Sequence, residues 1–346
     1  MSKFGVTIGR YQPLHRGHME IIDGALRAVD TLLILIGSTN VAPNTKNPFT
    51  YEERVEIFKK VYRREISDGR IIIKPARDYF YSDLNWQMNV QKIVHDTFGE
   101  SEDINLIGFA KDSTSYYLKL FPQWNSIPLS SSRPSLSSTD IRRRIYANDF
   151  WSIEDMVHPA VFDMLRLNKE LNERYNDLRE EFNFETAYYK DLQRGPYPVI
   201  VQAVDSVVVQ GGHVLLIRRK DRPGKGLLAL PGGHVGEFER LSDAAIRELT
   251  EETKIKDRRG KIPPKVLQSY IKEQKTFDNP GRSNRARVIT TAFLIQLPET
   301  TQLFEVSGGD DAESAHWVPI SNLRNSLLFE DHGAILEDML DISLMD

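Results

Sequence analysis

The chain contains no cysteine. That excludes a disulfide framework, a thiolate metal site and a cysteine nucleophile together. It also lacks an excess of charge of either sign: Lys+Arg 45 against Asp+Glu 49 leaves a net −4. Without a basic field there is no drive for non-specific nucleic-acid binding, so no nucleic-acid partner is expected. Long apolar runs are absent as well. The longest, Leu32 to Ile36, has the length of a buried strand and falls far short of the ~20 residues that span a bilayer. The first twenty residues hold two His, two Arg and a Pro where a secretory leader would need an apolar stretch. The expectation is no membrane partner and a cytoplasmic location. What remains is 346 residues, 40% hydrophobic and 27% charged, an ordinary globular composition with room for two domains.

The spacing of apolar residues divides the chain. Phe4 to Ile8 reads as a strand, Gly9 to His18 as a loop, and Met19, Ile22, Leu26 and Val29 as one face of a helix. Thr31 to Ile36 is a strand buried on both faces. A helix follows over Glu52 to Tyr62, then a strand at Ile71 to Ile73, a helix over Trp86 to Phe98 and a strand at Ile104 to Ile107. Such alternation predicts an α/β domain, a Rossmann-like parallel sheet with helices on both faces. Met164, Leu167, Leu171, Tyr175, Leu178 and Phe182 predict one amphipathic helix of about five turns. It breaks before Arg194-Gly195-Pro196-Tyr197-Pro198. Beyond it, Val204 to Val209, Gly211-Gly212 and Val214 to Ile217 read as a hairpin, and the second half as α+β. The domains are placed at 1–185 and 199–346, with a linker at 186–198. There is no internal repeat and no low-complexity segment.

The loop Gly9-Arg10-Tyr11-Gln12-Pro13-Leu14-His15-Arg16-Gly17-His18 joins the first strand to the first helix. Ligands of open α/β sheets bind beyond the C-terminal strand ends. A helix N-terminus there favours phosphate, and Gly9 permits close backbone approach. His15 and His18 can donate to phosphate oxygens, and Arg10 can clamp a phosphate bidentately. Downstream, Ser137-Ser138-Thr139-Asp140-Ile141-Arg142 reads as a helix start that offers hydroxyls and N–H groups to a triphosphate, with Arg142 on the first turn. The His-x-Gly-His string resembles the motif of the nucleotidylyltransferase superfamily. The Ser-Ser-Thr-x-Ile-Arg string and Asn47-Pro48-Phe49-Thr50-x-x-Glu53-Arg54 resemble those of nicotinamide mononucleotide (NMN) adenylyltransferases. That resemblance implies transfer of an adenylyl group from ATP to NMN, giving NAD and pyrophosphate. It places Arg54 on a substrate phosphate. It also makes Trp86 a residue stacked on the nicotinamide ring, where periodicity alone reads it as core.

In the second half, Gly233, five residues, Glu239, seven residues and Arg247-Glu248-Leu249-x-Glu251-Glu252-x-Lys254-Ile255 form one pattern. On a helix over Ser242 to Thr253, Glu248, Glu251 and Glu252 share a face. Like charges so spaced repel unless neutralised, and a hard divalent cation neutralises them. The pattern resembles the Nudix box at every position but one. The resemblance implies hydrolysis of a nucleoside diphosphate linked to another group, with magnesium, or manganese in its place. Its metal ligands would be Glu248, Glu252 and the Gly232 carbonyl, and Glu251 either binds a second ion or pairs with Arg247. The departure is Lys254, where the family has glycine, and an altered turn with intact chemistry is expected there. Gly308-Gly309-Asp310-Asp311-Ala312-x-x-Ala315-x-Trp317 resembles a loop of ADP-ribose pyrophosphatases, which makes Asp310, Asp311 and Glu313 alternative bases or ligands. Arg218, Arg219, Arg285 and Arg287 are candidates for a diphosphate, with surface pairing the alternative.

Together the two resemblances point to the bifunctional NMN adenylyltransferase/ADP-ribose pyrophosphatase type, with ATP, NMN and ADP-ribose as small-molecule partners and the oligomeric state open. Three rivals stand beside it. The first domain could use another acceptor, such as pantetheine phosphate or a flavin. The Nudix domain could act as a ligand sensor. It could also cleave another nucleotide or a cap-like dinucleotide.

Overall fold

Thr31–Ile36 reads TLLILI, and every residue after the threonine is buried. A strand with no polar face must be covered on both sides, which places it in the middle of a sheet with helices above and below. The computed structural model describes residues 3–100, 103–108 and 120–344 and places that strand as expected. In the first compact unit, Met1–Glu180, the chain runs β1 (Phe4–Gly9), α1 (Arg16–Ala28), β2 (Thr31–Ile36), α2 (Tyr51–Val61), α3 (Arg63–Ser67), β3 (Ile71–Pro75), α4 (Asp83–Phe98), β4 (Ile104–Gly108), β5 (Asn125–Pro128), α5 (Ser138–Tyr146) and α6 (Pro159–Leu167). The sheet order is β3-β2-β1-β4-β5, all parallel. The order reverses direction at β1, where β2 lies on one side and β4 on the other. In such sheets the crevice at that reversal is where ligands bind.

Helix α1 starts earlier than its apolar stripe suggests. His15 is its N-cap and His18 its third residue, and each ring accepts the other's backbone N–H, at 3.3 and 3.4 Å. This reciprocal cap replaces the usual Ser/Thr and Glu pair, so both histidines sit on the helix end rather than in a free loop. Helix α2 has the ordinary form, Thr50 with Glu53.

The predicted single helix across Met164 to Phe182 is two. Helix α6 ends at Leu167, and α7 (Lys169–Leu192) begins after Asn168, whose backbone is extended. Asn168 then accepts the Leu171 N–H as a cap. Leu171, Tyr175 and Leu178 form the buried stripe, whereas Leu167 is 65% exposed. Helix α7 continues to Leu192, so residues 186–192 of the expected linker are helical, and the boundary between compact units falls at Glu181 within it.

The second unit, Glu181–Asp346, continues with β6 (Ile200–Gln210), β7 (His213–Arg219), β8 (Leu228–Ala229), β9 (Gly232–His234), α8 (Leu241–Thr253), β10 (Lys256–Asp257), β11 (Gly260–Lys261), α9 (Pro264–Ser269), β12 (Ile271–Phe277), β13 (Arg287–Gln296), β14 (Ala312–Pro319) and α10 (His332–Leu340). Gly211 and Gly212 both take positive φ, which a two-residue hairpin between β6 and β7 requires. The mixed sheet is ordered β12-β13-β6-β7-β14, with β9 on β6 and β8 on β7. Helix α8 buries Ala244, Ala245, Ile246 and Leu249 in the core of this unit, which leaves its glutamate face for β9.

In the first unit, a Cβ on Gly5 would lie 2.8 Å from Ile107, 2.9 Å from Val29 and 3.1 Å from Leu32. All three neighbours are buried, so Gly5→Ala should overpack the core and cost about 1–3 kcal/mol. Chemical denaturation of the two proteins measures this, and an unchanged midpoint would show that the core yields.

Candidate functional sites

A cavity of about 340 Å³ opens at the reversal point of the parallel sheet. Gly9, Arg10, His15, His18, Ser137, Ser138, Thr139 and Arg142 all line it. The sequence separates these residues by over a hundred positions, and two ties bring them together. Ser138 Oγ donates to the Pro13 carbonyl at 3.2 Å, and Arg142 Nη1 donates to the Gln12 carbonyl at 2.8 Å. Ser137 caps α5 by accepting the Asp140 N–H.

The rings of His15 and His18 stack with centroids 3.6 Å apart. Because both Nδ1 atoms accept backbone N–H groups, a neutral ring carries its proton on Nε2. A Cβ on Gly17 would come within 3.2 Å of the His15 ring, so that position stays small. Arg10 is exposed at the rim, and its side chain makes no hydrogen bond or ion pair among the described residues. Burial pulls Arg142 down to about 10, which leaves it charged at neutral pH.

Arg54 has another place. It is 1% exposed and does not line the cavity. Its guanidinium donates to the carbonyls of Thr50, Arg10, Gly37 and Ser38, at 3.1, 2.8, 2.6 and 3.1 Å. These bonds tie together the loops that follow β1 and β2, away from the cavity where the sequence places a substrate phosphate. Trp86 likewise lies outside the cavity, packed at the edge of the core with its ring tilted 5.8 Å from Phe121. Sequence reading missed Gln12, whose amide pairs with both backbone groups of Phe49, at 2.9 and 3.0 Å. It also missed Glu20, which accepts from Ser131, from Ser132 Oγ and from the Ser132 N–H, and so fixes the serine-rich loop above α1. Neither residue has a sequence signature, because each acts on a segment distant in the chain.

The second constellation lies between α8 and β9. Arg247 is its hub. It grips Glu239 with two bonds, at 2.8 and 2.9 Å, and also donates to Glu248 (2.8 Å), Glu251 (3.0 Å) and the His234 carbonyl (3.1 Å). Of the two alternatives for Glu251, the structure thus forms the Arg247 pair. Glu252 is 4% exposed and accepts the Gly232 N–H at 2.9 Å. Burial pushes its carboxyl up to about 8, opposed by that hydrogen bond and reinforced by Glu248. A Cβ on Gly233 would lie 2.4 Å from the Glu248 carboxylate, so that position must be glycine to meet the acidic face, and one on Gly232 would lie 2.2 Å from the Val204 carbonyl, so that position must be glycine to pair with β6. An all-oxygen pair that favours positive charge suits a hard divalent cation. Among the described residues no three or more His, Asp or Glu close into a full cage. Two carboxylates suit an ion that keeps waters and takes further ligands from substrate phosphates.

Lys254 ends α8 in the left-handed region, φ 45° and ψ 34°. The turn is therefore the one a glycine would make, and the expected alteration does not occur. Asp310, Asp311 and Glu313 are all exposed, and the charge of Asp310 helps raise the Glu248 carboxyl. Arg218 is exposed and donates to the Gly226 carbonyl at 2.6 Å, and Arg287 donates to that of Asp278.

Residues 6–144 match the cytidylyltransferase-like family, and residues 200–339 the NUDIX domain. A bifunctional NMN adenylyltransferase/ADP-ribose pyrophosphatase from Francisella tularensis is 31% identical, with a TM-score of 0.89 over 99% of both chains. The chain belongs to this bifunctional family. A second structure of the Francisella protein, complexed with AMP and a manganese ion, is 30% identical over 99% of both chains, with a TM-score of 0.88. The nicotinamide/nicotinic acid mononucleotide adenylyltransferase of Acinetobacter baylyi is 33% identical over 53% of this chain and 95% of its own. The ADP-ribose pyrophosphatase of Methanocaldococcus jannaschii is 34% identical over 40% of this chain and 72% of its own. Family membership accounts for both constellations in one chain. No described helix is long and apolar enough to cross a membrane.

Removing the Arg54 guanidinium leaves the carbonyls of Arg10, Gly37 and Ser38 without their donor. Arg54→Ala should cost about 3–5 kcal/mol of stability in the first unit. Thermal unfolding checks this, and an unchanged stability with a raised KM would return Arg54 to the phosphate.

Proposed function

We propose that the chain is a bifunctional enzyme of nicotinamide-nucleotide metabolism. Its first domain, 1–185, joins ATP and NMN into NAD and pyrophosphate. Its second, 199–346, hydrolyses ADP-ribose to AMP and ribose 5-phosphate. The observation that carries this reading is the presence, in one chain, of the stacked histidine pair facing Arg142 and of the glutamate pair against Gly232-Gly233.

In the first site an oxygen of the NMN phosphate attacks the ATP α-phosphorus. The bond to the bridging oxygen of the β-phosphate breaks, and pyrophosphate leaves with that electron pair. No covalent enzyme intermediate is required. The Nε2–H groups of His15 and His18 donate to phosphate oxygens as negative charge builds on them. Arg10 and Arg142 hold the outgoing phosphates, while Gly9, Ser137, Ser138 and Thr139 shape the wall and donate to them. Trp86 keeps a packing role in this reading.

In the second site a water oxygen bonds to one phosphorus of the diphosphate, and the bridging oxygen departs with the other phosphate. Asp310, with its electrostatic link to Glu248, is the base that takes the water's proton. Glu248, Glu252 and the Gly232 carbonyl would hold magnesium, or manganese in its place. The ion would supply positive charge to the diphosphate and acidify the attacking water. Glu239 and Glu251, through Arg247, hold Glu248 in position. The partners are small nucleotides in the cytoplasm.

The two activities should separate by mutation. His18→Ala is expected to slow NAD formation by about 10²–10³ and to leave AMP release from ADP-ribose intact. Glu252→Gln should do the reverse. Assays of NAD from NMN and ATP, and of AMP from ADP-ribose, decide each half alone. A wild-type chain that makes no NAD, or leaves ADP-ribose whole, overturns the corresponding half.

A further inference from the structure

Two arginines of the second unit stand near each other with donors to spare. The Arg219 guanidinium lies over the Phe329 ring, 4.2 Å from its centroid, and its one side-chain hydrogen bond runs from Nε to the Pro223 carbonyl. The Arg285 guanidinium lies 5.8 Å from the Tyr188 ring centroid on α7. Its Nε is buried with no hydrogen-bond partner. Burial, and then the charge of Arg285, hold Arg219 below the ordinary arginine range.

Carboxylates are close by, yet each is engaged elsewhere. Glu330 accepts from Ser283 at 2.7 Å, Glu181 from the Gly224 N–H at 2.8 Å, Asp205 from Thr290 at 2.7 Å, and Glu252 from the Gly232 N–H. Among the described residues none closes an ion pair on Arg219 or Arg285. Two like charges gathered on aromatic faces without a bonded counter-ion oppose folding, and a dianionic ligand relieves that opposition. The position of the pair says which ligand. Arg219 stands opposite Ala312 on β14, at the end of the loop whose Gly309 N–H donates to the Glu252 carbonyl at 3.0 Å, and its charge acts on Glu252 as that of Arg285 does on His234 at the end of β9. The arginines therefore belong to the glutamate site.

We propose that Arg219 and Arg285, the latter steadied by Tyr188, form the cradle for the diphosphate of a nucleoside diphosphate linked to a second group. The inference rests on the hydrolase reading above and deepens it. It selects two of the four candidate arginines, and it assigns a residue of α7, outside the Nudix box, to the second unit's substrate site. Tyr188 is a positioning residue in this arrangement.

The test uses the full chain, with ADP-ribose as probe. Arg219→Gln and Arg285→Gln should each raise KM by about 10- to 100-fold, with kcat within about threefold and NAD formation unchanged. Tyr188→Ala should raise KM partway, and Tyr188→Phe should restore it, because the ring and not the hydroxyl holds Arg285. An unmoved KM, or a fall in kcat at constant KM, overturns the cradle. If the wild-type chain leaves ADP-ribose intact, the hydrolase reading fails by itself. Calorimetric titration with ADP in EDTA then decides the cradle separately: loss of one ADP site in Arg285→Gln supports it, and identical titrations overturn it.

Discussion

A buried cation that bonds no carboxylate holds the first site in place. Strands β1 and β2 end side by side, Gly9 opposite Ile36, and beyond that pair the carbonyls have no ladder to join. Each buried carbonyl left without a donor costs about 1–3 kcal/mol. The Arg54 guanidinium supplies donors to three of them and to its own helix. Burial draws it down to about 10, and the nearby Asp78 favours its charge, so it stays protonated. With the Arg10 carbonyl fixed, the rest of the loop follows: Gln12 pairs with Phe49, and Arg142 and Ser138 close on the Gln12 and Pro13 carbonyls. The histidines and Arg142 are thus fixed relative to each other before any ligand arrives, which is what catalysis by positioning needs.

The second unit solves a similar problem with glycine and buried polar pairs. Strand β9 must approach α8 closely enough for a backbone N–H to reach Glu252; a side chain at 233 would meet the Glu248 carboxylate, and one at 232 would push the strand off β6. Behind that strand, His332 accepts the Leu230 N–H at 2.9 Å. Burial holds that imidazole down to about 3, so it remains a neutral acceptor. Arg282 grips Asp331 through two bonds of 2.9 Å and faces Asp205 at 3.7 Å. The acidic face of α8 therefore rests on a strand whose own support is saturated with hydrogen bonds.

Which parts of this were legible in the sequence follows from the range of each interaction. Strand runs, the hairpin at Gly211-Gly212 and the glutamate spacing on α8 are local periodicities and read directly. The cavity-lining histidines, serines and Arg142 were legible because two short motifs carry them. The carbonyl partners of Arg54 were not legible, because a motif gives a residue's position and not the backbone groups that fold in around it. The packing partner of Trp86, Phe121, lies 35 residues away and has no signal in the sequence. The break at Asn168 was hidden because the apolar stripe of α6 and α7 runs across it almost in phase. Arg219 and Arg285 could not be separated from Arg218 and Arg287, since the difference lies in which acceptors the fold brings near.

Lys254 shows how a departure from a motif can leave its geometry intact. A left-handed residue with a Cβ costs roughly 1–2 kcal/mol relative to the right-handed form. The lysine takes that conformation nonetheless, and its stem lies against Gly309, where a Cβ would meet Lys254 Cε at 2.6 Å and the Glu251 carbonyl at 2.4 Å. Apolar contact along the stem offsets part of the strain. The close approach that a cap glycine would allow is supplied instead by glycine on the facing loop. Gly309 N–H donates to the Glu252 carbonyl and Ser307 N–H to that of Thr253, so the acidic loop stays tied to the end of α8. The constraint at this corner is contact between two backbones, and one glycine on either side of it is enough.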